Sequence, residues 1–369
     1  MVQNRIKQIR DFGQSIWLDF FDREIMDSGR LKKMIEEDGI SGVTSNPSIF
    51  EKAISAGSDY DNDITFLSQT NGSNEAIFFH LAIKDIKRAA GIFKPVFIKS
   101  NGMDGFVSLE VSPHLAHDTE GTIKQARELW KAVGCNNVMI KIPATQEGLP
   151  AIRKCISEGI NINITLLFGL GRYQQVVDAY LSGLEDRVKA NKSIDHITSV
   201  ASFFLSRIDV MIDPRLKNSL ADLKGETAIA SARKAYEIYK NIFWGERFKK
   251  LEEKKAKHQR LLWASTSTKD ATFSDVKYVE ALIGPETINT IPVETLEAFR
   301  DHGLAKSRLE IGLSKATQVL AHLKQNSIDL DVITQKLEDE GIQKFNKAYD
   351  KILGAIEKKK LMYLYDQAI

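Results

Sequence analysis

Short β-rich runs alternate with longer helical runs from the N-terminus to about residue 300, and no other property of this 369-residue chain constrains its fold as much. Apolar runs bounded by turn residues predict eight strands, over Ser15–Phe20, Gly42–Ser45, Phe106–Val111, Asn137–Ile142, Asn161–Phe168, Ile197–Phe204, Arg260–Ser265 and Thr287–Ile291. Helices predicted between them include Arg23–Asp38, Glu120–Val133, Glu147–Glu158, Arg172–Lys192, Glu226–Ile242 and Glu294–His302, several with apolar residues three and four apart. Eight parallel strands joined by crossover helices predict an α/β fold, a single (β/α)8 TIM-type barrel. Asp59–Gly91 reads as extra helical material after the second unit. Glu310–Gln367 reads as a helical C-terminal extension that could cover the barrel mouth or pack on its outside. No Ser/Gly-rich linker divides the chain, so residues 1–369 are expected to form one domain, the extension beginning at about 310.

Composition enters mainly through what it excludes. With 43% hydrophobic and 27% charged residues, the chain has material for a sizeable core and none of the bias of disorder. Lys and Arg number 51 against 49 Asp and Glu, and a net charge of +2 gives no field to attract nucleic acid or an anionic membrane. The charged N-terminus MVQNRIKQIRDFGQ lacks the apolar core of a signal peptide, and no apolar run approaches the ~18–20 residues of a membrane span. Two cysteines, Cys135 and Cys155, cannot build a disulfide framework, and a cytoplasmic protein is expected. Gly169-Leu170-Gly171 does not continue into a dinucleotide fingerprint, and His114 and His117 have no further ligands nearby, so no metal is expected.

Lys141 lies within Val138-Met139-Ile140-Lys141-Ile142-Pro143, where strand alternation sends its side chain, with that of Met139, to the barrel interior. A lysine is rarely buried unless something pairs with it or uses it. Burial favours a neutral amine, the form that condenses with a ketone to a Schiff base and draws electrons from the neighbouring carbon–carbon bond. A lysine snorkelling from an edge strand is the plainer alternative. The run Ile160–Thr165 alternates apolar and polar, so Asn161, Asn163 and Thr165 share a face whose groups need partners. A polyhydroxylated ligand would supply them, as would a core network for Asn161, the deepest. Asp19, Glu110, Ser202 and Phe204 fall near strand C-termini, where barrel active sites lie. Two carboxylates around a buried lysine offer what retro-aldol cleavage needs: an amine nucleophile, a base for a hydroxyl proton, and a second group to move protons through water. Thr44-Ser45-Asn46-Pro47-Ser48 clusters polar groups after the second strand, with Asn46 or Ser48 also suited to cap the next helix. Arg207 after the sixth strand and Ser265-Thr266-Ser267-Thr268-Lys269 after the seventh could together form a phosphate cradle late in the barrel, although a surface salt bridge is the plainer role for either cation alone.

Most of these residues sit in segments that resemble the transaldolase family: GVTSNPSIF (42–50), VSLEV (107–111), VMIKIPAT (138–145), GININITLLF (159–168), ASFFLSRID (201–209), LLWAST (261–266) and YVEALIGPETINTIP (278–292), in family order. The length and the last two segments resemble the longer bacterial branch. The resemblance implies a class I aldolase-type barrel, circularly permuted so that the Schiff-base lysine, Lys141, falls on the fourth strand. It implies that Glu110 and Thr165 hold the water of carbinolamine formation and dehydration. Asp19 would take the C4 hydroxyl proton. Asn46, Asn163 and Ser202 would bind the dihydroxyacetone portion, with Thr44 supporting the second strand. Arg207 matches the phosphate arginine. Shorter transaldolases place another arginine two residues beyond the serine that Ser265 matches; here that position is Ser267, and Lys269 is expected to substitute.

The implied reaction moves a dihydroxyacetone unit from sedoheptulose 7-phosphate to glyceraldehyde 3-phosphate, giving erythrose 4-phosphate and fructose 6-phosphate. It requires no cofactor and no partner beyond the sugar phosphates, although the family includes dimers and a homodimer is compatible with it. Fructose 6-phosphate aldolase is the alternative in another reaction class, and Glu110 and Phe204 stand where those enzymes generally carry Gln and Tyr. A barrel that binds sugar phosphates without catalysis is the third reading, opposed by the intact set of Lys141, Glu110 and Asp19.

Overall fold

The computed structural model describes residues 4–69 and 72–367, so residues 70 and 71 of the predicted Asp59–Gly91 insertion, and the extreme ends of the predicted domain, lie outside the described residues. Eight strands form a closed, all-parallel barrel in sequence order: β1 (Gln14–Leu18), β2 (Gly42–Val43), β3 (Phe106–Glu110), β4 (Val138–Pro143), β5 (Ile162–Leu167), β6 (Ser199–Phe204), β7 (Arg260–Ala264) and β8 (Thr287–Ile291). The barrel closes where β8 pairs with β1 from Gln14 opposite Thr287 to Leu18 opposite Ile291. Every strand residue is buried, because one face meets the barrel interior and the other the helix layer, which is why these segments read as near-continuous apolar runs. The predicted (β/α)8 barrel is the fold observed.

The first two strands stop two residues before their predicted ends. β1 ends at Leu18 and β2 at Val43, leaving Asp19 and Thr44 just beyond the strands, still tied in by Asp19 N donating to Ile291 O (2.9 Å) and Thr44 N to Leu18 O (2.9 Å). Gly42 faces the indole of Trp17 so closely that a Cβ there would come within 2.5 Å of the ring, so only glycine lets β2 lie against β1. The predicted helix Arg23–Asp38 is two helices, Arg23–Asp27 and Arg30–Glu37, broken at Gly29 in the left-handed region (φ 75°). The insertion forms Asp61–Ser68 and Asn74–Lys99, the second running past Gly91 and through Pro95 because its apolar stripe from Ile77 to Phe93 continues to bury against the core.

The N-terminal end of the barrel is plugged by polar groups that satisfy one another. Asp104 accepts from Ser15 Oγ (2.7 Å), Trp17 Nε1 (3.0 Å) and Arg260 Nη2 (3.1 Å), and Arg260 Nη1 donates to Ser15 Oγ (3.0 Å). Removing one partner of a buried ion pair strands the other, so Asp104→Ala is expected to cost about 3–5 kcal/mol in denaturant unfolding. Activity per folded molecule should be retained, because the plug lies at the end of the barrel opposite the site described below.

The C-terminal extension consists of helices Leu313–Gln325 and Leu330–Gln367. The longer one crosses the C-terminal side of the barrel, against helix Pro47–Ala56, the insertion helices and β5. Tyr349 OH donates to Glu75 Oε1 (2.7 Å), His114 pairs with Asp350 (2.8 Å) and Arg172 with Glu338 (3.4 Å). Both placements open from the sequence occur: helix Leu330–Gln367 lies over the mouth, whereas helix Leu313–Gln325 packs on the outside against helix Thr227–Phe243. Among the described residues no helix is long and apolar enough to cross a membrane.

Candidate active site

The C-terminal end of the barrel opens into a cavity of about 620 Å³, and its wall includes Asp19, Thr44, Asn46, Lys141, Thr165, Ser202, Phe204, Arg207, Ser265 and Lys269. Residues from six different strands or strand ends thus converge on one space, as parallel strands ending in a common ring require.

Lys141 stands on the interior face of β4, in register with Glu110 of β3 and Asn163 of β5. Only 5% of it is exposed, and its Nζ donates to Ser45 O (2.8 Å) and to Glu110 Oε2 (3.3 Å). Glu110 lies behind the lysine rather than in the cavity wall. Its other oxygen, Oε1, and the hydroxyl of Thr165, which shares the cavity wall with Lys141, are buried polar atoms with no partner among the described residues, so both retain hydrogen-bonding capacity. Around Thr165 the β5–β6 register shifts between Ile164 and Leu167, with Leu166 in the left-handed region (φ 54°). A non-glycine residue held there is strained, a device found where the chain must aim a side chain.

Asp19 accepts from Thr44 Oγ1 (2.9 Å), and Thr44 Oγ1 lies 2.8 Å from Thr290 Oγ1. Burial pushes the pKa of Asp19 above its usual value, opposed by the Lys141 charge and the Thr44 hydrogen bond. Burial likewise raises Glu110, again against the attraction of Lys141. The two carboxylates therefore sit closer to the pH range of proton exchange than free ones would.

Ser202 donates to Asn163 Oδ1 (2.7 Å), and Asn163 Nδ2 donates to Ser108 Oγ (3.0 Å). Asn163 is fully buried and backs Ser202, which alone of the pair faces the cavity, its lone pairs left to accept from a ligand hydroxyl. Asn161 belongs to the opposite end and to the fold, clamping the β4–β6 start by accepting from Thr198 N (2.9 Å) and donating to Asn136 O (3.0 Å). Asn46 both lines the cavity and caps helix Pro47–Ala56 by accepting from Ile49 N (3.1 Å). Phe204 packs on Phe168, centroids 5.1 Å apart, and the Arg207 guanidinium carbon lies 5.7 Å from the Phe204 centroid. Arg207 Nη1 is buried without a partner among the described residues, an arrangement that leaves a charge-assisted donor for an anion. Ser265, in the left-handed region (φ 56°), places its hydroxyl 2.9 Å from that of Ser206, and Lys269 reaches the same cavity from the exposed loop beyond.

Thr290 and Phe345 were not singled out by sequence reasoning, yet both line the cavity. A polar residue one step before the end of β8 was the available signal for Thr290. Nothing distinguishes Phe345 in the sequence from an ordinary core residue of an amphipathic helix, because its placement depends on where that helix docks.

Residues 16–356 match a protein-family model described as Transaldolase/Fructose-6-phosphate aldolase. Over 373 residues the chain is 46% identical to a protein named transaldolase from Trichodesmium erythraeum, covering 97% of this chain and 98% of that one. It is 45% identical to transaldolase 2 of Nostoc sp. PCC 7120, with the same coverage, and 44% identical to a transaldolase of Saccharopolyspora erythraea over 96% of this chain and 97% of the other.

Proposed function

This chain belongs to the transaldolase/fructose-6-phosphate aldolase family, and from that premise we propose how its own residues perform the transaldolase reaction of the non-oxidative pentose phosphate pathway. The observation that carries the reading is a buried lysine flanked by Glu110 at 3.3 Å, at the base of a cavity that Asp19 also lines.

Lys141 Nζ attacks the C2 carbonyl of sedoheptulose 7-phosphate to form a carbinolamine, and loss of water leaves an iminium ion. Glu110 and Thr165, whose unpartnered atoms retain hydrogen-bonding capacity, hold and exchange the water and proton that this dehydration releases. Asp19 removes the C4 hydroxyl proton, the C3–C4 bond breaks, and its electron pair moves into the iminium to give an enamine while erythrose 4-phosphate departs. Addition of the enamine carbon to the aldehyde of glyceraldehyde 3-phosphate reverses these steps, with Asp19 returning the proton, and hydrolysis releases fructose 6-phosphate. Ser202, held by Asn163, and Asn46 bind the dihydroxyacetone hydroxyls, Thr44 orients Asp19, and Phe204 walls the enamine from water. Arg207, Ser265 and Lys269 bind the phosphate, with Lys269 taking the place of a second arginine. Phe345 brings the C-terminal helix into the same cavity, which supports reading the chain as one domain working as a unit. We place the reaction in the cytoplasm, on the sparse cysteines.

A transferase must hold its enamine until an aldehyde arrives. Incubated with fructose 6-phosphate alone, the protein is expected to release little free dihydroxyacetone. Adding erythrose 4-phosphate should start steady production of sedoheptulose 7-phosphate and glyceraldehyde 3-phosphate. Equal release of dihydroxyacetone with and without acceptor would instead assign the chain to the aldolase side of the family.

A further inference from the structure

Arg207 lines the cavity and its Nη1 has no partner among the described residues, so besides the Phe204 ring it is the backbone that places the guanidinium. That backbone is helix Ser206–Ile212, whose seven residues are too few to hold a helix by their own hydrogen bonds. Two anchors fix it. At its start, Ser206 N donates to Ser265 O (3.1 Å), and the two serine hydroxyls lie 2.9 Å apart. In its middle, Asp209, only 2% exposed, accepts from Ala228 N (2.8 Å) through Oδ1 and from Tyr278 OH (2.8 Å) through Oδ2.

We propose that Asp209 is a positioning residue for phosphate recognition: it pins the Arg207 helix to the first turn of helix Thr227–Phe243 and to Tyr278, and so fixes where the guanidinium meets the substrate phosphate. The inference rests on the transaldolase reading and on Arg207 as a phosphate ligand. Asp209 and Tyr278 also border a second pocket, of about 520 Å³, whose wall includes Lys269, so the same anchor underlies the loop that carries the other cation. Burial pushes Asp209 up to about 6, against the hydrogen bonds from Ala228 N and Tyr278 OH, which favour its ionised form. No step of the reaction uses this carboxylate, which makes its place two residues after Arg207 in the ASFFLSRID segment otherwise unexplained.

The test exploits the two half-reactions, because in a ping-pong scheme kcat/KM for the acceptor reports the second half alone. With sedoheptulose 7-phosphate as donor, Asp209→Ala should lower kcat/KM for glyceraldehyde 3-phosphate about 10-fold while changing that for unphosphorylated glyceraldehyde less than about twofold. Asp209→Asn keeps an acceptor for Ala228 N and should recover most of the loss. Tyr278→Phe, which removes one hydroxyl and leaves the ring, should show a smaller loss of the same selectivity and carries the test if Asp209→Ala fails to fold. On an Arg207→Ala background the Asp209 effect should disappear. Equal losses with both acceptors, or an undiminished Asp209 effect without Arg207, would reduce Asp209 to a purely structural role and overturn the proposal. A wild-type protein that turned over neither acceptor would instead bring down the transaldolase reading, and the proposal with it.

Discussion

Lys141→Met is expected to abolish turnover, with a loss of roughly 10⁵-fold or more, because the covalent route has no substitute nucleophile in the cavity wall. Lys52 and Lys269 also line the cavity, but both are exposed, whereas Lys141 is buried against Glu110. Borohydride reduction of the wild type in the presence of fructose 6-phosphate should trap an adduct, and peptide mass spectrometry should locate it at Lys141 alone. The variant should give none. Methionine preserves the unbranched shape, so the barrel should persist in circular dichroism. Glu110, already raised by burial and now without the opposing charge, should be driven further toward its neutral form. Unchanged turnover, or an adduct on another lysine, would remove Lys141 from the mechanism.

The barrel was legible because parallel strands buried on both faces announce themselves as apolar runs, and the turns between them carry their own punctuation. What eluded the sequence was local or non-local in specific ways. Gly29 breaks a helix whose apolar spacing continues across the break, since periodicity does not register a single left-handed residue. The irregularity at Leu166 is hidden inside ININITLLF, which reads as one unbroken strand. Strand alternation correctly grouped Lys141, Glu110, Asn163, Thr165 and Ser202 toward the interior. Alternation has no depth coordinate, however, so it could not tell that Asn163 would stand behind Ser202 and Glu110 behind Lys141. Phe345 lies some 200 residues beyond the catalytic strands, and only the docking of the last helix brings it to the mouth.

Asp19→Asn is expected to reduce kcat about 10²–10⁴-fold, the usual contribution of a positioned general base, while leaving Schiff-base formation intact. The Lys141 adduct should therefore still be trapped from fructose 6-phosphate, and at higher yield, because the iminium forms but its C3–C4 bond no longer breaks. This separates the two residues by step: losing Lys141 removes the adduct, losing Asp19 preserves it. The wild-type pH profile carries the same assignment. The base is active when ionised, so kcat falls as pH drops through the Asp19 pKa, and burial places that acid limb above the ordinary aspartate range. Thr44 donates a hydrogen bond that favours the ionised form, so Thr44→Val should move the limb to still higher pH. Stability runs against activity here. Both Asp19 and Glu110 have folded pKa values raised above the unfolded ones, so the fold binds more protons than the unfolded chain between the two values, and stability contributed by these groups declines as pH rises through that window. The cavity is thus most reactive in the protonation state that the fold tolerates least, and Asp19→Asn, which removes one buried charge, should raise the unfolding midpoint at neutral pH while lowering kcat. A variant with near-wild-type kcat and an unmoved acid limb would take the C4 proton away from Asp19.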